Sequence, residues 1–423
     1  MGAAEPEARR LAAVLAIGDE LLAGAHPDLN SPRISCELAS VGWSVGRVTV
    51  VGDCEEDIAK GLGTLSREYD LVVVTGGLGP TLDDLTRAAV SRAVGRPLVE
   101  QPAAAQEIRN WFAERGREMP DSNLRQALFP RGAEVLTNAR GTAPGFTLKM
   151  ADARLFVLPG PPLEMEGMLM GEVLPRLTEA ASGAGQGVLP RRDFFLVGLS
   201  ESAFADAAGE WMERGACPRM GVTAKASILC VRLTLDDGSA SEQALELRAR
   251  DFRERFGRWI FSEETPDLAR VVAQRLVESR TSLALAESCT GGLIAAALTG
   301  VPGISSVFRE GLVTYSNAAK SGRLGVEEEL LERHGAVSAE VAAAMAVGCA
   351  RSSGADLALA VTGIAGPGGG SADKPVGLIH YGLWHRGEAD TCERRFPGRG
   401  REQVREFATQ TALALIWKAL QGC

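Results

Sequence analysis

The sequence lacks several features that would assign it to a class at once. It has no apolar run long enough to cross a membrane as a helix, so membrane-spanning helices are not expected. Acidic side chains outnumber basic ones, 54 to 45, which argues against a surface built for the nucleic-acid backbone. The start of the chain has no signal-peptide layout, because its apolar stretch continues directly into a polar motif. We therefore expect a cytoplasmic protein whose partners are small molecules.

Paired cysteines are also absent. The eight cysteines are scattered and no CxxC pair occurs, so neither a zinc site nor a disulfide framework is indicated, and we expect buried free thiols. With 423 residues, 45% of them apolar and 23% charged, the chain is too long for one ordinary core. Two or three soluble domains are expected. A local basic pocket for one phosphate is compatible with the acidic net charge.

Residues 286–320 concentrate the residue types of a covalent hydrolase. An apolar run at 282–286 predicts a buried strand, and ESCTGG at 287–292 then forms a loop before an alanine-rich helix at 293–299. Hydroxyl and backbone N–H groups would meet at this helix N-terminus, which suits an anion or an oxyanion. If residues 307–315 form a strand and Asn317 begins a helix, then Ser305, Tyr315 and Lys320 could converge at one sheet edge.

A serine needs a base before it can act as a nucleophile. His334 and His380 have no triad-like setting, which leaves Lys320, whose pKa burial would have to lower from roughly 10.4. The alternative is structural: clusters of Ser, Thr and Gly before helices are usually caps and turns, and a lone lysine is usually solvated.

The first 175 residues alternate strands and helices. Strands are predicted at 11–17, 45–51 and 71–75, and helices at 34–41, with Asn30 or Ser31 as its cap, and at 55–68. This order indicates a parallel α/β sheet, in which ligands bind beyond the carboxyl ends of the strands.

The loop GGLGPTLDDLT at 76–86 follows the third of these strands. Gly76 and Gly77 would let the backbone approach a phosphate, while Asp83 and Asp84 offer oxygen ligands to a divalent cation. Alternatively, Asp83 is only an acid in the first turn of a helix. A loop at 138–146 and a rigid turn that delivers Glu164 to a helix start lie further along the chain.

The remaining segments are read from composition and periodicity. Residues 178–188 are small and polar and predict a linker, and residues 194–261 predict a small α+β module. That module has no GxxG loop with flanking basic residues, so a spacer or dimerisation role is favoured over RNA binding. Further helices are expected at 268–278, 341–351 and 402–420, and strands at 357–361 and 375–384.

Motifs in the last 160 residues resemble the C-terminal domain of the CinA family, the nicotinamide-mononucleotide amidohydrolases. They are ESCTGG at 287–292, the GxS of Gly303 to Ser305, YSNAAK at 315–320, GAVS at 335–338, TGIAGPGGG at 362–370 and KPVG at 374–377. The resemblance implies that Ser305 is the nucleophile, Lys320 its base and Tyr315 a further catalytic residue. It implies a substrate pocket formed by Ser288, Thr290, Gly291, Asn317, Thr362, Gly363 and Arg401, with Arg399 as the competitor of Arg401.

Four N-terminal motifs resemble the molybdopterin-binding-like domain of the same family: GDELL at 18–22, the loop at 76–86, GTAPGF at 141–146 and PGPPLEM at 159–165. The resemblance implies an ADP-ribose pyrophosphatase that needs a divalent metal ion, with Asp83 and Asp84 as metal ligands. The implied site consists of Asp19, Asn30, Gly76, Gly77, Thr81, Asp83, Thr86, Asn138, Gly145 and Glu164. No general base is assigned among them.

Together these observations predict an α/β protein in three parts. Residues 1–177 form a molybdopterin-binding-like parallel-sheet domain, 190–262 a KH-like α+β connector, and 265–423 an α/β amidohydrolase domain that needs no cofactor. The expected function is deamidation of nicotinamide mononucleotide together with ADP-ribose hydrolysis, in a homodimer. The alternatives are a regulatory protein linked to competence or DNA damage, and a molybdopterin-type ligand-binding protein with one or both sites inactive.

Overall fold

The computed structural model describes residues 10–182, 190–213, 215–235 and 242–421. The chain divides into two compact units, Met1–Leu189 and Pro190–Cys423. The second unit joins the predicted connector and the predicted C-terminal domain in one body. Each unit is described by itself.

The first unit is an α/β domain, as expected. Its strands are β1 (Leu11–Ile17), β2 (Ser44–Val51), β3 (Leu71–Thr75), β4 (Leu98–Glu100), β5 (Leu128–Pro130), β6 (Glu134–Leu136), β7 (Gly145–Met150) and β8 (Ala153–Leu158). Its helices are α1 (Asp19–Leu22), α2 (Asn30–Ser40), α3 (Glu55–Glu68), α4 (Thr86–Val94), α5 (Pro102–Ala113), α6 (Pro162–Met168) and α7 (Leu174–Ser182).

Six of these strands form one sheet in the order β2-β1-β3-β8-β7-β6. The first four strands run parallel, and β7 and β6 are antiparallel additions at one edge. Alternate residues of β1 enter two different cores, Ala13 and Leu15 on one face and Ala12 and Val14 on the other. Helices cover both faces, which is why the central strands read as continuous apolar runs.

The predicted cap of α2 was wrong. The helix begins at Asn30 itself, and Asp28 Oδ1 accepts the backbone N–H groups of Asn30 and Ser31 at 3.1 and 2.9 Å. Asp28 therefore satisfies the first free N–H groups of this helix, while the Asn30 side chain is buried and points elsewhere.

The predicted linker at 178–188 was wrong in its first part. Helix α7 continues through Ser182, and the Thr178 hydroxyl donates to Leu174 O four residues earlier, at 2.9 Å. The alanines at 180 and 181 favour helix, which outweighs the small, polar composition of this stretch. Residues 183–189 lie outside the described residues.

The second unit contains the remaining elements. Its strands are β9 (Arg191–Val197), β10 (Arg219–Lys225), β11 (Ile228–Thr234), β12 (Ile260–Ser262), β13 (Leu283–Glu287), β14 (Phe308–Val313), β15 (Leu357–Gly363), β16 (Leu378–His385) and β17 (Glu388–Arg395). Its helices are α8 (Glu201–Ala208), α9 (Glu242–Phe256), α10 (Leu268–Ser279), α11 (Leu293–Thr299), α12 (Asn317–Leu324), α13 (Glu328–His334), α14 (Ala339–Ser353) and α15 (Arg401–Leu420).

The connector is an antiparallel sheet in the order β10-β11-β9-β12. On one face Phe194 packs in a core with Phe252, from α9. From the other face Phe195 enters the core of the C-terminal sheet, where the ring of Phe261 lies 6.5 Å from that of Trp417. The connector is therefore joined to α15 by a shared apolar core.

The C-terminal sheet has the order β14-β13-β15-β16-β17. Strand β13 is parallel to both of its neighbours, and β16 and β17 complete the sheet in antiparallel fashion. Leu283 and Leu285 face the core that contains α10, α11 and α15, whereas Ala284 and Ala286 face α12, α13 and α14. Alternation along β13 thus decides which helices each side chain meets.

The expectation of buried free thiols was only partly correct. The seven described cysteines form no disulfide bond with one another, but Cys36, Cys54 and Cys217 are exposed, and only Cys289 and Cys349 of the seven are buried. Cys423 lies outside the described residues. Among the helices of the described ranges, none combines the length and the apolar character that crossing a bilayer requires.

Candidate functional site

Ser288 and Lys320 meet at the carboxyl edge of the C-terminal sheet. Ser288 comes directly after β13 and continues the alternation of Ala284 and Ala286, so its side chain turns toward α12. Its backbone N–H donates to Val361 O at 2.9 Å, which fixes the start of the loop. Lys320 Nζ lies 3.2 Å from Ser288 Oγ.

The Lys320 amine is buried, with 1% of the residue exposed. Burial lowers the pKa of Lys320 from its usual value, because a charged ammonium loses its hydration there. Nζ also donates to Thr314 O at 2.9 Å and to Tyr315 O at 3.3 Å. A neutral amine has two N–H groups for these two carbonyls and one lone pair for the Ser288 hydroxyl. The surroundings therefore suit a base.

The predicted convergence of Ser305, Tyr315 and Lys320 was wrong for Ser305. Ser305 lies in a short turn at Ile304–Ser306, before β14 begins, and Lys320 comes after β14 ends. Six strand residues separate the two places by about 20 Å, at about 3.3 Å a residue. Ser305 is exposed at the opposite edge of the sheet, so the serine beside Lys320 is Ser288.

The N-terminus of α11 is not free to bind an oxyanion, contrary to expectation. The buried carboxylate of Glu287 accepts N–H groups from Gly292 and Ala295, each at 2.9 Å, and from Ile294 at 3.2 Å. Glu287 thus caps the helix from the end of the preceding strand and holds the loop 288–292.

Cys289, Thr290 and Gly291 build this loop, and Cys289 and Thr290 are buried in it. Burial raises the pKa of the Cys289 thiol to about 12, while the N–H groups of Cys289 and Thr290 oppose the shift. Cys289 is therefore a neutral thiol at neutral pH and no rival nucleophile. The Thr290 side chain is fully buried, and Thr290 O accepts a hydrogen bond from Arg405 Nη2 at 2.8 Å. Gly291, at φ +61°, lies against the same guanidinium.

Tyr315 and Arg401 form a pair at the rim of this edge. Arg401 donates from Nη2 to Tyr315 OH at 2.8 Å and from Nη1 to Gly366 O at 2.7 Å. Tyr315 is 58% exposed, and Asn317 is exposed in the first turn of α12. Arg399 lies over the ring of Phe407 instead, at 3.9 Å, so Arg401 is the arginine that borders the site.

Thr362 continues the row of side chains on the Lys320 face. The register pairs Glu287 with Val361, which makes Thr362 the neighbour of Ser288, and pairs Thr362 with His380. Thr362 is buried and its hydroxyl donates to Ala336 O at 2.7 Å. The next residue is Gly363, where an added Cβ would lie only 2.7 Å from Leu378 O.

Sequence reasoning missed three residues at this edge. His380 was set aside for want of a triad, yet it is buried on the face of Thr362, and burial lowers its pKa so that it is neutral at pH 7. Glu287 and Arg405 hold the loop from opposite sides. For Glu287 a signal existed, since an acid directly before a loop and helix is a candidate cap.

In the first unit, a cleft of about 710 Å³ opens beyond the carboxyl ends of β1, β3 and β8. Six of the predicted residues line it: Asn30, Gly76, Gly77, Asp83, Asp84 and Glu164. Asn30 ties its loops together, because its amide donates to Thr75 Oγ1 at 2.9 Å and to Gly160 O at 2.8 Å. The site is therefore at the edge that the parallel sheet predicts.

Asp84 does not fit its predicted role as a metal ligand. Its Oδ1 accepts the N–H of Gly79 at 2.6 Å, and its Oδ2 accepts the N–H of Thr81 at 2.8 Å and the Thr81 hydroxyl. Both oxygens are thus used to shape the glycine loop. Asp83, by contrast, is exposed.

Asp53 is one of the acidic residues of this cleft that sequence reasoning missed. Asp53 follows β2, and two hydrogen bonds join it to Asp19. The Asp19 N–H donates to Asp53 Oδ2 at 2.9 Å, and the Asp53 N–H donates to Asp19 Oδ1 at 3.1 Å. Burial raises the pKa of Asp53, and the charges of Asp19, Glu20 and Asp83 raise it further. The position of Asp53 just after β2 could have identified it, because β1 and β2 are parallel neighbours that end at the same edge of the sheet.

The other predicted residues act behind the cleft. Thr86 is buried and donates to Gly76 O at 2.8 Å, and Asn138 donates to Glu164 Oε2 at 2.7 Å and so orients that carboxylate. At Gly145 an added Cβ would lie 2.5 Å from Val157 O, so this glycine serves packing. Across the described ranges, no three or more His, Cys, Asp or Glu side chains are arranged as a ready-made metal site.

Comparison with known proteins matches the two parts of the chain to two family domains. The family described as "CinA C-terminal domain" matches residues 265–420, and the one described as "Probable molybdopterin binding domain" matches residues 13–179. A CinA-like protein of Geobacter sulfurreducens is 45% identical over 413 residues, which cover 96% of this chain and 98% of the relative.

Two solved structures match in part. The competence/damage inducible protein CihA from Agrobacterium tumefaciens is 47% identical and covers 37% of this chain and 94% of its own, with a TM-score of 0.36. A CinA superfamily protein from Escherichia coli is 36% identical and covers 36% of this chain and 88% of its own, with a TM-score of 0.35. Since the Geobacter relative matches over nearly its whole length, the chain belongs to the CinA family, with a molybdopterin-binding-like domain before the CinA C-terminal domain.

Proposed function

We propose that the chain hydrolyses the carboxamide of nicotinamide mononucleotide to nicotinate mononucleotide and ammonia, with Ser288 as nucleophile and Lys320 as base. The observation that carries the proposal is the contact of 3.2 Å between Ser288 Oγ and a fully buried lysine amine. No carboxylate forms an ion pair with Lys320 among the described residues, and burial lowers its pKa. A neutral amine beside a hydroxyl can take the proton that a serine nucleophile must lose.

In the first step Ser288 Oγ attacks the carboxamide carbon and its proton passes to Lys320 Nζ. The tetrahedral intermediate then collapses, the C–N bond breaks, and the amide nitrogen takes the proton from Lys320 as ammonia leaves. An ester of Ser288 with the nicotinoyl group remains. The carbonyls of Thr314 and Tyr315 keep Nζ aimed at Oγ throughout.

In the second step water attacks the ester carbon and gives its proton to Lys320. The C–O bond to Ser288 breaks, Ser288 Oγ recovers that proton, and the carboxylate product leaves. One water is consumed for each ammonia released. We assign contact with the pyridine ring to the exposed ring of Tyr315, and contact with the phosphate to the guanidinium of Arg401 beside it.

For the N-terminal cleft we propose metal-dependent hydrolysis of ADP-ribose. The carboxylates of Asp19, Asp53 and Asp83 suit a hard divalent cation, and their mutual repulsion, which raises the pKa of Asp53, would be relieved by one. These groups are not converged into a ligand set, and both oxygens of Asp84 are engaged elsewhere. The cation supplies charge for the pyrophosphate when bound, and we assign no general base.

The rival functions are a regulatory role linked to competence or DNA damage, and ligand binding without catalysis at the N-terminal cleft. Excess acidic charge speaks against direct contact with DNA. The buried Lys320 speaks against a purely regulatory C-terminal domain, because burying an unpaired amine destabilises a fold and is seldom retained without a use.

The test is to incubate the full chain separately with nicotinamide mononucleotide and with ADP-ribose, with and without a metal chelator. Products are resolved by chromatography. We expect ammonia release that resists the chelator and is lost in Ser288→Ala, and ADP-ribose hydrolysis that the chelator stops and Ser288→Ala leaves unchanged. No turnover of either compound would favour the rivals. Homodimer formation stays a prediction that light scattering can check.

A further inference from the structure

A second cavity in the C-terminal unit, of about 550 Å³, lies between the connector and α15. Its connector wall consists of residues 197–201, 224–227 and 229, and its other wall of residues between 394 and 418. A volume in this range accommodates a ligand the size of a nucleotide. None of the residues proposed for the reaction at Ser288 lines it.

The charged side chains that line this cavity are nearly all cationic. They are Lys225, Arg394, Arg399 and Lys418, against a single acid, Glu201. Across the described ranges, none of these four cations forms an ion pair with a carboxylate. The chain has more acids than bases, so acidic partners are not scarce.

Elsewhere in the same unit arginines are paired with acids. Arg232 contacts Asp193 at 2.6 Å and Arg253 contacts Glu263 at 2.7 Å. Four unpaired cations around one cavity repel each other, and an anion in the cavity removes that repulsion. The charge pattern therefore fits a ligand that carries a phosphate.

The same wall offers a surface for a flat ring. The Arg399 guanidinium lies 3.9 Å from the Phe407 ring centre, and Phe396 lies beside Phe407 with ring centres 5.6 Å apart. A guanidinium that stacks on an aromatic ring on one side can accept a second planar group on its other side. This gives the cavity a place for a base next to places for a phosphate.

The two walls are held together firmly. The shared core of Phe261 and Trp417 fixes the connector against α15. At the closest approach an added Cβ on Gly198, whose φ is +82°, would lie 3.5 Å from Lys418 Nζ. Lys418 of one wall thus reaches the backbone of the other wall, which also carries Lys225.

We propose that this cavity is a separate binding site for a nucleoside monophosphate, whose phosphate is held by Lys225 and Lys418 and whose base stacks on Arg399. Because the cavity lies between the connector and α15, a bound ligand would contact both of them. The proposal does not depend on the function proposed for Ser288.

The test is isothermal titration calorimetry of the full chain with adenosine monophosphate. We expect Lys225→Glu and Lys418→Glu each to weaken binding about tenfold or more, because each turns an attraction to the phosphate into a repulsion. Arg351→Glu, the same charge reversal at the exposed end of α14, serves as the control and should bind as the parent does. Equal thermal unfolding temperatures without ligand would show that the variants are folded.

Two other nucleotide sites must be separated from this one. The titrations are therefore repeated in the double variant Arg401→Ala/Asp53→Asn, in which binding that depends on Lys225 and Lys418 should persist. Unchanged affinity in both lysine variants, or no lysine-dependent binding in that double variant, would overturn the proposal. So would tight, lysine-dependent binding of a single-stranded oligonucleotide without binding of the monophosphate, which would make the cavity part of a nucleic-acid surface.

Discussion

Glu287 and Ser288 are consecutive residues whose side chains serve opposite faces of one sheet. The Glu287 carboxylate accepts three N–H groups at the start of α11, and Ser288 Oγ contacts Lys320 on the side of α12. Alternation along a strand allows one short segment to anchor a loop and to present a reactive group from it. The position of Ser288, the proposed nucleophile, therefore depends on a neighbour to which we assign no chemical role in the proposed reaction.

We expect Glu287→Gln to destabilise the chain by about 2–4 kcal/mol, because an amide offers one acceptor oxygen and brings its own N–H groups toward those of α11. Urea unfolding measures this difference. Glu332→Gln, an exposed acid of α13, is the matched control and should change stability little. A wild-type stability in Glu287→Gln would mean that the three hydrogen bonds do not hold the loop.

Deamidation should rise with pH through the lowered pKa of Lys320, since only the neutral amine accepts the serine proton. Between that pKa and about 10.4 the unfolded state binds more protons than the folded state, so the cost of burying Lys320 falls as pH increases. Initial rates from about pH 6 to pH 9 test the first statement. Lys320→Arg should be inactive over the whole range, because a guanidinium stays protonated.

Arg401→Ala should raise the KM for nicotinamide mononucleotide about tenfold or more and lower kcat less, because Arg401 lies at the rim and does not contact the Ser288–Lys320 pair. Tyr315→Phe keeps the ring and loses one hydrogen bond, so we expect the KM to change only a few fold. Arg399→Ala is the control, since Arg399 lies on Phe407. Equal losses in Arg399→Ala and Arg401→Ala would contradict the assignment.

Asp53→Asn should abolish hydrolysis of ADP-ribose and leave deamidation unchanged, because it removes a charge from the acidic cluster of the N-terminal cleft. Asp84→Ala should instead lower the unfolding temperature of the first unit, as the glycine loop loses the acceptor of its Gly79 and Thr81 N–H groups. Assays of both activities, together with thermal unfolding, distinguish a residue that binds the metal ion from one that only stabilises the glycine loop.

Periodicity and residue type were enough to predict much of the fold. Helix Glu55–Glu68, strand Leu71–Thr75 and helix Leu293–Thr299 have the predicted bounds, because each is a strongly patterned segment between clear breaks. Strand β17 was missed, since its charged and exposed sequence lies at the sheet edge and carries no apolar run.

The sheet edge at which Ser305 lies could have been predicted from the same sequence. A loop before a strand and a loop after it lie at opposite edges of a sheet, and the predicted strand at 307–315 already separated Ser305 from Lys320. Ser288 follows its own parallel strand, so it belongs to the edge of Lys320. By contrast, the position of Glu287 before a loop and helix marks it as a candidate cap, but its three N–H partners depend on side-chain geometry that the sequence does not show.

The most direct test of the Ser288–Lys320 dyad is the rate of ammonia release from nicotinamide mononucleotide by Ser288→Ala and Ser305→Ala, measured beside the parent chain and the double variant Ser288→Ala/Lys320→Ala. We predict a loss of about a thousandfold or more in Ser288→Ala, no further loss in the double variant, and near-parent turnover in Ser305→Ala. Near-parent turnover in Ser288→Ala with loss in Ser305→Ala would contradict the account.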